Sequence, residues 1–281
     1  MRLARNTARA ATALALFAAV GCSADHITAP IEATSTRAPL LLSNATASTI
    51  ATDKLTPGSV TVTPTRATLS TPRYAREQLL GFQNDTPTKQ CLTEGDSLGA
   101  WNLRFSGHGC TQITPDVGGA SLSMQPAAAS GSSETHAPLL LGPEYGDKFL
   151  MTARVETVQQ LRRNSEPNAW EVAWVLWQYQ DDEHFYYFIP KPNGWELGKR
   201  DPAYSGGQRF LATGTDQKFP VGHAYNVQIA NRGNAITVTV DGVVLATVTD
   251  TERPYLTGRV ALYSEDAEIK VHQVSVRTGA F

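Results

Sequence analysis

Much of the usual catalytic vocabulary is missing from this sequence. It contains no zinc-ligand spacing, no EF-hand string and no His-Glu-x-x-His pair. A phosphate-cradling glycine loop and a Gly-x-Ser-x-Gly elbow are absent as well, so nucleotide-binding and serine-hydrolase chemistry lack their motifs. Neither sign of charge dominates: 24 Lys and Arg stand against 26 Asp and Glu, a formal charge of −2. That leaves no basic face for nucleic acid. Helical periodicity is scarce, residues 71–80 alone reading as a short helix. The N-terminal apolar run, residues 10–20, is too short to span a bilayer.

What is present concentrates in residues 170–201, which hold four of the five tryptophans. Aromatic and β-branched runs broken by turn residues predict three consecutive antiparallel strands there. A four-residue loop over 181–184 would pair Gln180 with Phe185, Gln178 with Tyr187 and Trp174 with Lys191. A two-residue turn at Asn193-Gly194 would pair Lys191 with Glu196 and Tyr187 with Arg200. Side chains alternate across a strand, so this register sorts them. Val175, Trp177, Tyr179, Tyr186, Phe188, Trp195 and Leu197 form an apolar face. Trp174, Gln178, Tyr187, Lys191, Glu196 and Arg200 form a polar-aromatic one, with Val172 and Ile189 between them, suited to a ring-shaped polar ligand. Of the tryptophans, Trp174 is the expected stacking platform on that face.

At the start of the chain, Arg2 and Arg5 precede the short apolar run and Gly21-Cys22, the pattern of a signal peptide. Ala-Ala-Val-Gly-Cys resembles the lipobox of bacterial lipoproteins, which implies lipidation of Cys22 and attachment to the membrane through acyl chains. Ser23 in place of aspartate points to the outer membrane of a cell envelope. The expected division is a leader over 1–21, a Thr/Ser/Pro-rich tether over 22–73, and one folded domain over 74–281. In an oxidising compartment the two remaining cysteines, Cys91 and Cys110, are expected to close a disulfide.

Further strands are expected over 100–105, 120–124, 148–158, 208–212, 224–232, 259–263 and 268–277. A hairpin over 235–248 is expected to turn at Asp241-Gly242. That order, with the Asp241-Gly242 hairpin and the strand over 258–263, resembles the concanavalin A-like jelly-roll superfamily. Within it the laminin-G-like branch, including 3-keto-disaccharide hydrolase-type domains, is the nearest likeness. The resemblance implies an all-β sandwich of two antiparallel sheets whose concave sheet binds glycans. It also implies a structural Ca²⁺, for which Asp147, Asp250, Glu265 and Asp266 are the places to look.

Family 16 glycoside hydrolases on this fold carry Glu-x-Asp-x-x-Glu on one strand. This chain has no such string, so that catalytic pattern does not carry over. Glu196, with Lys191 opposite, is the remaining acid/base candidate for a glycoside hydrolase or lyase. A plain cross-strand ion pair is the competing reading of the same two residues. Trp174, Gln178, Tyr187, Arg200, His184 and Glu171 are the candidate ligand contacts. The function expected is therefore an exported, lipid-anchored protein that binds or processes glycans. The alternative is a structural or envelope-interaction protein without a small ligand.

Overall fold

The structure, a computed structural model, describes residues 76–279. The leader, Cys22 and the tether lie outside the described residues. Two antiparallel sheets of eight strands each make up the fold. The first contains β1 (Arg76–Phe82), β4 (Cys110–Asp116), β5 (Gly119–Gln125), β7 (Lys148–Gln160), β12 (Ala224–Arg232), β13 (Ala235–Val240), β14 (Val243–Thr249) and β16 (Ala267–Thr278). The second contains β2 (Ser97–Leu98), β3 (Trp101–Ser106), β6 (Pro138–Tyr145), β8 (Ala173–Asp181), β9 (His184–Lys191), β10 (Gly194–Arg200), β11 (Gln208–Gly214) and β15 (Gly258–Ser264). Its order is β11-β10-β9-β8-β15-β6-β3-β2. Connections such as β5 to β6 and β7 to β8 carry the chain from one sheet to the other, and the jelly-roll β-sandwich expected from the resemblance is present.

The Asp241-Gly242 turn has φ of 47° and 83°, the positive pair that a type I′ hairpin demands. Cys91 and Cys110 form the expected disulfide. The helix read over 71–80 is a misreading where it can be seen: residues 76–82 are β1, paired antiparallel with β16. Leu80 and Phe82 alternate inward there, so long-range pairing overrides local helical character. Three strands, β2, β4 and β6, go unread in the sequence.

A large apolar cluster draws side chains from both sheets and is the inter-sheet core. It includes Val175, Trp177, Tyr186, Phe188, Trp195 and Leu197, six of the seven residues assigned to the apolar face. A second cluster draws on the second sheet alone, through Trp174, Leu176, Tyr179, Tyr187, Ile189 and Tyr263. It therefore lies on that sheet's outer side. The central strands are apolar on both faces, like the strands of sheets that are covered on both sides.

The register differs from expectation in two places. The first turn is Asp182-Glu183, with Asp181 Oδ1 accepting from Glu183 N at 2.8 Å, an Asx turn. Beyond it Gln178, at φ 49°, sits in a bulge that brings Leu176 rather than Gln178 opposite Tyr187. The bulge moves Tyr179 from the inner to the outer cluster. The second turn is Pro192-Asn193, pairing Lys191 with Gly194 and Glu196 with Ile189. Proline's fixed φ suits the first corner of a type I turn and excludes a type I′ one. Gly194 then starts the strand where a Cβ would lie 2.1 Å from Gly214 O.

An ion pair is buried in the inter-sheet layer. Lys199 Nζ donates to Asp250 Oδ2 at 2.8 Å, both side chains fully buried, and to the carbonyls of Glu252 and Arg253. Tyr186 donates to the same Asp250 oxygen at 2.7 Å. Burial works against an ionised Asp250, but these donors outweigh it and hold the carboxyl below its ordinary range. Lys199→Met strands that carboxylate, so it should cost about 3–5 kcal/mol in urea unfolding. Adding Asp250→Asn to the same protein should recover part of the loss.

Candidate functional site

The outer face of β9, β10 and β11 keeps the charged residues that the sequence singled out. Lys191 Nζ donates to Glu196 Oε1, the two side chains being 12% and 17% exposed. The shifted turn sets them diagonally rather than directly across. A shift of two preserves strand parity, so they still share a side. Four residues along β10 from Glu196, about 13 Å, Arg200 lies on the same face. Its Nη1 donates to Gly206 O at 2.8 Å, while its Nε is buried without a partner.

Between them Gly198 leaves the sheet bare, and the space is filled from β9. A Cβ on Gly198 would lie 2.3 Å from Tyr187 Oη. That hydroxyl accepts a hydrogen bond from Gln208 Nε2 on β11. Burial raises the Tyr187 hydroxyl well above its usual range, so it remains a neutral donor and acceptor. Opposite Gly198 across the β10–β11 ladder is Phe210, which directly paired residues place on the same face. Phe210 is 55% exposed. Sequence reasoning found the strand around Phe210 but assigned it no role. Alternation along Gln208-Arg209-Phe210 is the signal that places Phe210 with Gln208, facing out.

Other candidates are placed differently. Trp174 is no open platform: it is 3% exposed, with its ring centroid 5.3 Å from that of Tyr187 and 5.2 Å from that of Tyr263. Its indole N–H donates to Trp170 O at 2.7 Å. Gln178, expected in the groove, is buried in the bulge and donates to Gly146 O at 2.9 Å. Glu171 is buried and accepts from Arg162 Nε at 2.6 Å and Asn168 Nδ2 at 2.7 Å. His184 pairs with Asp181 Oδ1 at 2.7 Å at the first turn, the opposite end of β9 from Lys191.

The four carboxylates considered for Ca²⁺ do not assemble, and no group of three or more side chains arranged to hold a metal ion occurs among the described residues. Asp250 is neutralised by Lys199, and Asp266 by Arg162 at 2.7 Å. Glu265 accepts from the Tyr263 hydroxyl at 2.7 Å. Asp147 lies elsewhere, its carbonyl accepting from Asn231 Nδ2 at 2.8 Å. At Asp250, Glu265 and Asp266 the protein's own cations and hydroxyls meet carboxylate oxygens, and no cofactor is established at these positions.

No family model matches the chain, and no curated protein matches it in sequence. Among solved structures it is similar to the carbohydrate-binding module CBM66 from Bacillus subtilis. The TM-score is 0.46 at 11% identity, covering 64% of this chain and 96% of that one. It is similar also to a GH16 protein of a Bacteroides ovatus mixed linkage glucan PUL, at TM-score 0.45, 8% identity and coverages of 66% and 96%. A third likeness is the Ca²⁺- and mannose-bound exoplasmic domain of VIP36, at TM-score 0.44, 11% identity and coverages of 64% and 83%. These are loose likenesses in shape, and the functional reading stands on this chain's own residues.

The Gly198 gap gives a direct check. Gly198→Ala drives a methyl into the Tyr187 hydroxyl and should cost about 1–3 kcal/mol in chemical denaturation. Tyr187→Phe, which removes only the bond from Gln208, should cost about 1 kcal/mol.

Proposed function

We propose that the outer face of β9–β11 binds a carbohydrate chain, with Phe210 as the stacking platform. Glu196, Lys191, Arg200 and Gln208 supply the surrounding hydrogen-bonding groups. The observation that carries this reading is an exposed aromatic ring set opposite a side-chain-free residue and bracketed by charged groups along one strand. The apolar face of a sugar stacks on such a ring, while its hydroxyls meet the flanking polar groups.

Binding is favoured over catalysis by the same geometry. Glycoside hydrolysis needs two carboxyl groups flanking one bond. Glu196 is held by Lys191, and its strand neighbours on that face, Gly198 and Arg200, are not acids. Tethering to a cell envelope through lipid on Cys22 belongs to this reading as well. Membrane fractionation with Cys22→Ser tests it, since the variant should move to the soluble fraction. Burial of the Trp174, Tyr187 and Tyr263 rings favours a purely structural role for that part of the face.

A glycan array probed with the full chain should return at least one polysaccharide class. Phe210→Ala should weaken that binding roughly tenfold, about 1.4 kcal/mol, while the thermal midpoint stays within a degree or two of the parent. Glu196→Gln should weaken binding less. Turnover of a bound glycan that Glu196→Gln abolishes with affinity intact would instead favour the hydrolase or lyase reading. An array with no retained glycan would favour the structural one.

A further inference from the structure

Where β6 and β8 begin and β15 ends, three segments meet around one guanidinium. Arg162, in the loop joining β7 to β8, has its side chain only 3% exposed. Its Nε donates to Glu171 Oε1 at 2.6 Å and its Nη2 to Asp266 Oδ2 at 2.7 Å. Its Nη1 donates to the carbonyl of Glu134 at 3.1 Å and to that of Gly131. One side chain thus fastens the β5–β6 loop, the β7–β8 loop and the β15–β16 turn together. Ala137 and Trp170 in the first two of these pack against the outer aromatic cluster.

The acids at this junction outnumber their partner. Glu171 and Asp266 are fully buried and Glu265 is 2% exposed. Glu171 Oε2 is buried with no hydrogen-bond partner. Facing these groups are Tyr263 from β15, which donates to Glu265, and His136 from the β5–β6 loop. His136 N donates to Asp266 Oδ1 at 2.8 Å, and its Nε2 lies 3.2 Å from Glu134 Oε1. Arg200 on β10 reaches Tyr263 only through its field. Three buried carboxylates around one arginine carry an excess negative charge that a low-dielectric setting opposes.

We propose that the Arg162 clasp is a proton-dependent latch. A single proton held at Glu265 and Asp266, beside the Glu171 carboxylate, keeps both loops fastened, and its loss loosens them from the outer face. Burial, followed by the fields of Asp266 and Glu171, pushes the Glu265 carboxyl up from 4.5 to about 7. A carboxyl raised on folding contributes stability that is complete below its unfolded value, near 4.5, and is lost as pH rises through about 7. Loosening therefore belongs to mildly alkaline solution, and it does not depend on whether β9–β11 binds a glycan.

Hydrogen exchange on the full chain from pH 6 to 8.5, expressed as protection factors to remove intrinsic base catalysis, reads the latch directly. Protection of residues 127–136 and 161–171 should fall by up to about tenfold per pH unit above 7, while β12 and β13 stay constant. Glu265→Gln should hold the loops protected across the whole range. Uniform loop protection in the wild type overturns the latch, as does a Glu265→Gln protein that loosens like the wild type. Should Glu265→Gln fail to fold, Glu171→Gln keeps the oxygen that accepts from Arg162 and Asn168 while removing one negative charge. Its loosening should be smaller than wild type, and an equal amplitude overturns the proposal.

Discussion

The rest of the structure depends on the alternation of side chains along β8 and β9. Val175, Trp177, Tyr186 and Phe188 enter the core shared by the two sheets, while Trp174, Leu176, Tyr187 and Ile189 build a separate apolar layer behind them. Both strands are hydrogen-bonded on both edges, β8 to β9 and β15, β9 to β8 and β10. Neither face nor edge is left for water. Whatever the outer side of the sheet does in solution is displaced to its margin, where β10 and β11 carry polar residues.

That margin explains which parts of the site were legible. The identity of the outer-face residues survives errors of two in both hairpins, because an even shift keeps parity. Lys191 and Glu196 therefore meet although the second turn lies one residue earlier than expected; the first turn is centred as expected, and its offset of two enters at the bulge. The bulge at Gln178 is a different matter. A Cβ on Gly258 would come within 2.4 Å of the Gln178 backbone, and that approach from β15 comes from a residue eighty positions further along the chain. No local pattern encodes it, so Tyr179 and Gln178 were placed on the wrong sides. Phe210 was missed because its role comes from what stands opposite, a glycine on another strand. The β13–β14 hairpin, by contrast, is written in two adjacent residues and was read correctly.

Charged groups inside the fold serve as fasteners between segments distant in sequence. Lys199 ties the end of β10 to the segment after β14, and Arg162 ties three connections at the opposite margin. Both work through hydrogen bonds to carbonyls as well as carboxylates, so their geometry is specified in several directions at once. The two differ in balance. Around Lys199 the nearby Arg209 and Arg253 keep pace with Asp201, Asp250 and Glu252. Around Arg162 the acids are in surplus, which is why proton occupancy matters at one junction and not at the other.

The two-sided apolar character of β8 and β9 has a cost before folding is complete. Residues 172–179 combine high strand propensity and no charge with no proline, the composition of a self-associating cross-β segment. In the finished molecule neighbours occupy both of its edges. In a chain still being released or threaded through a pore it presents adhesive surface in every direction, so solubility at that stage falls to whatever holds the nascent segment apart from its copies.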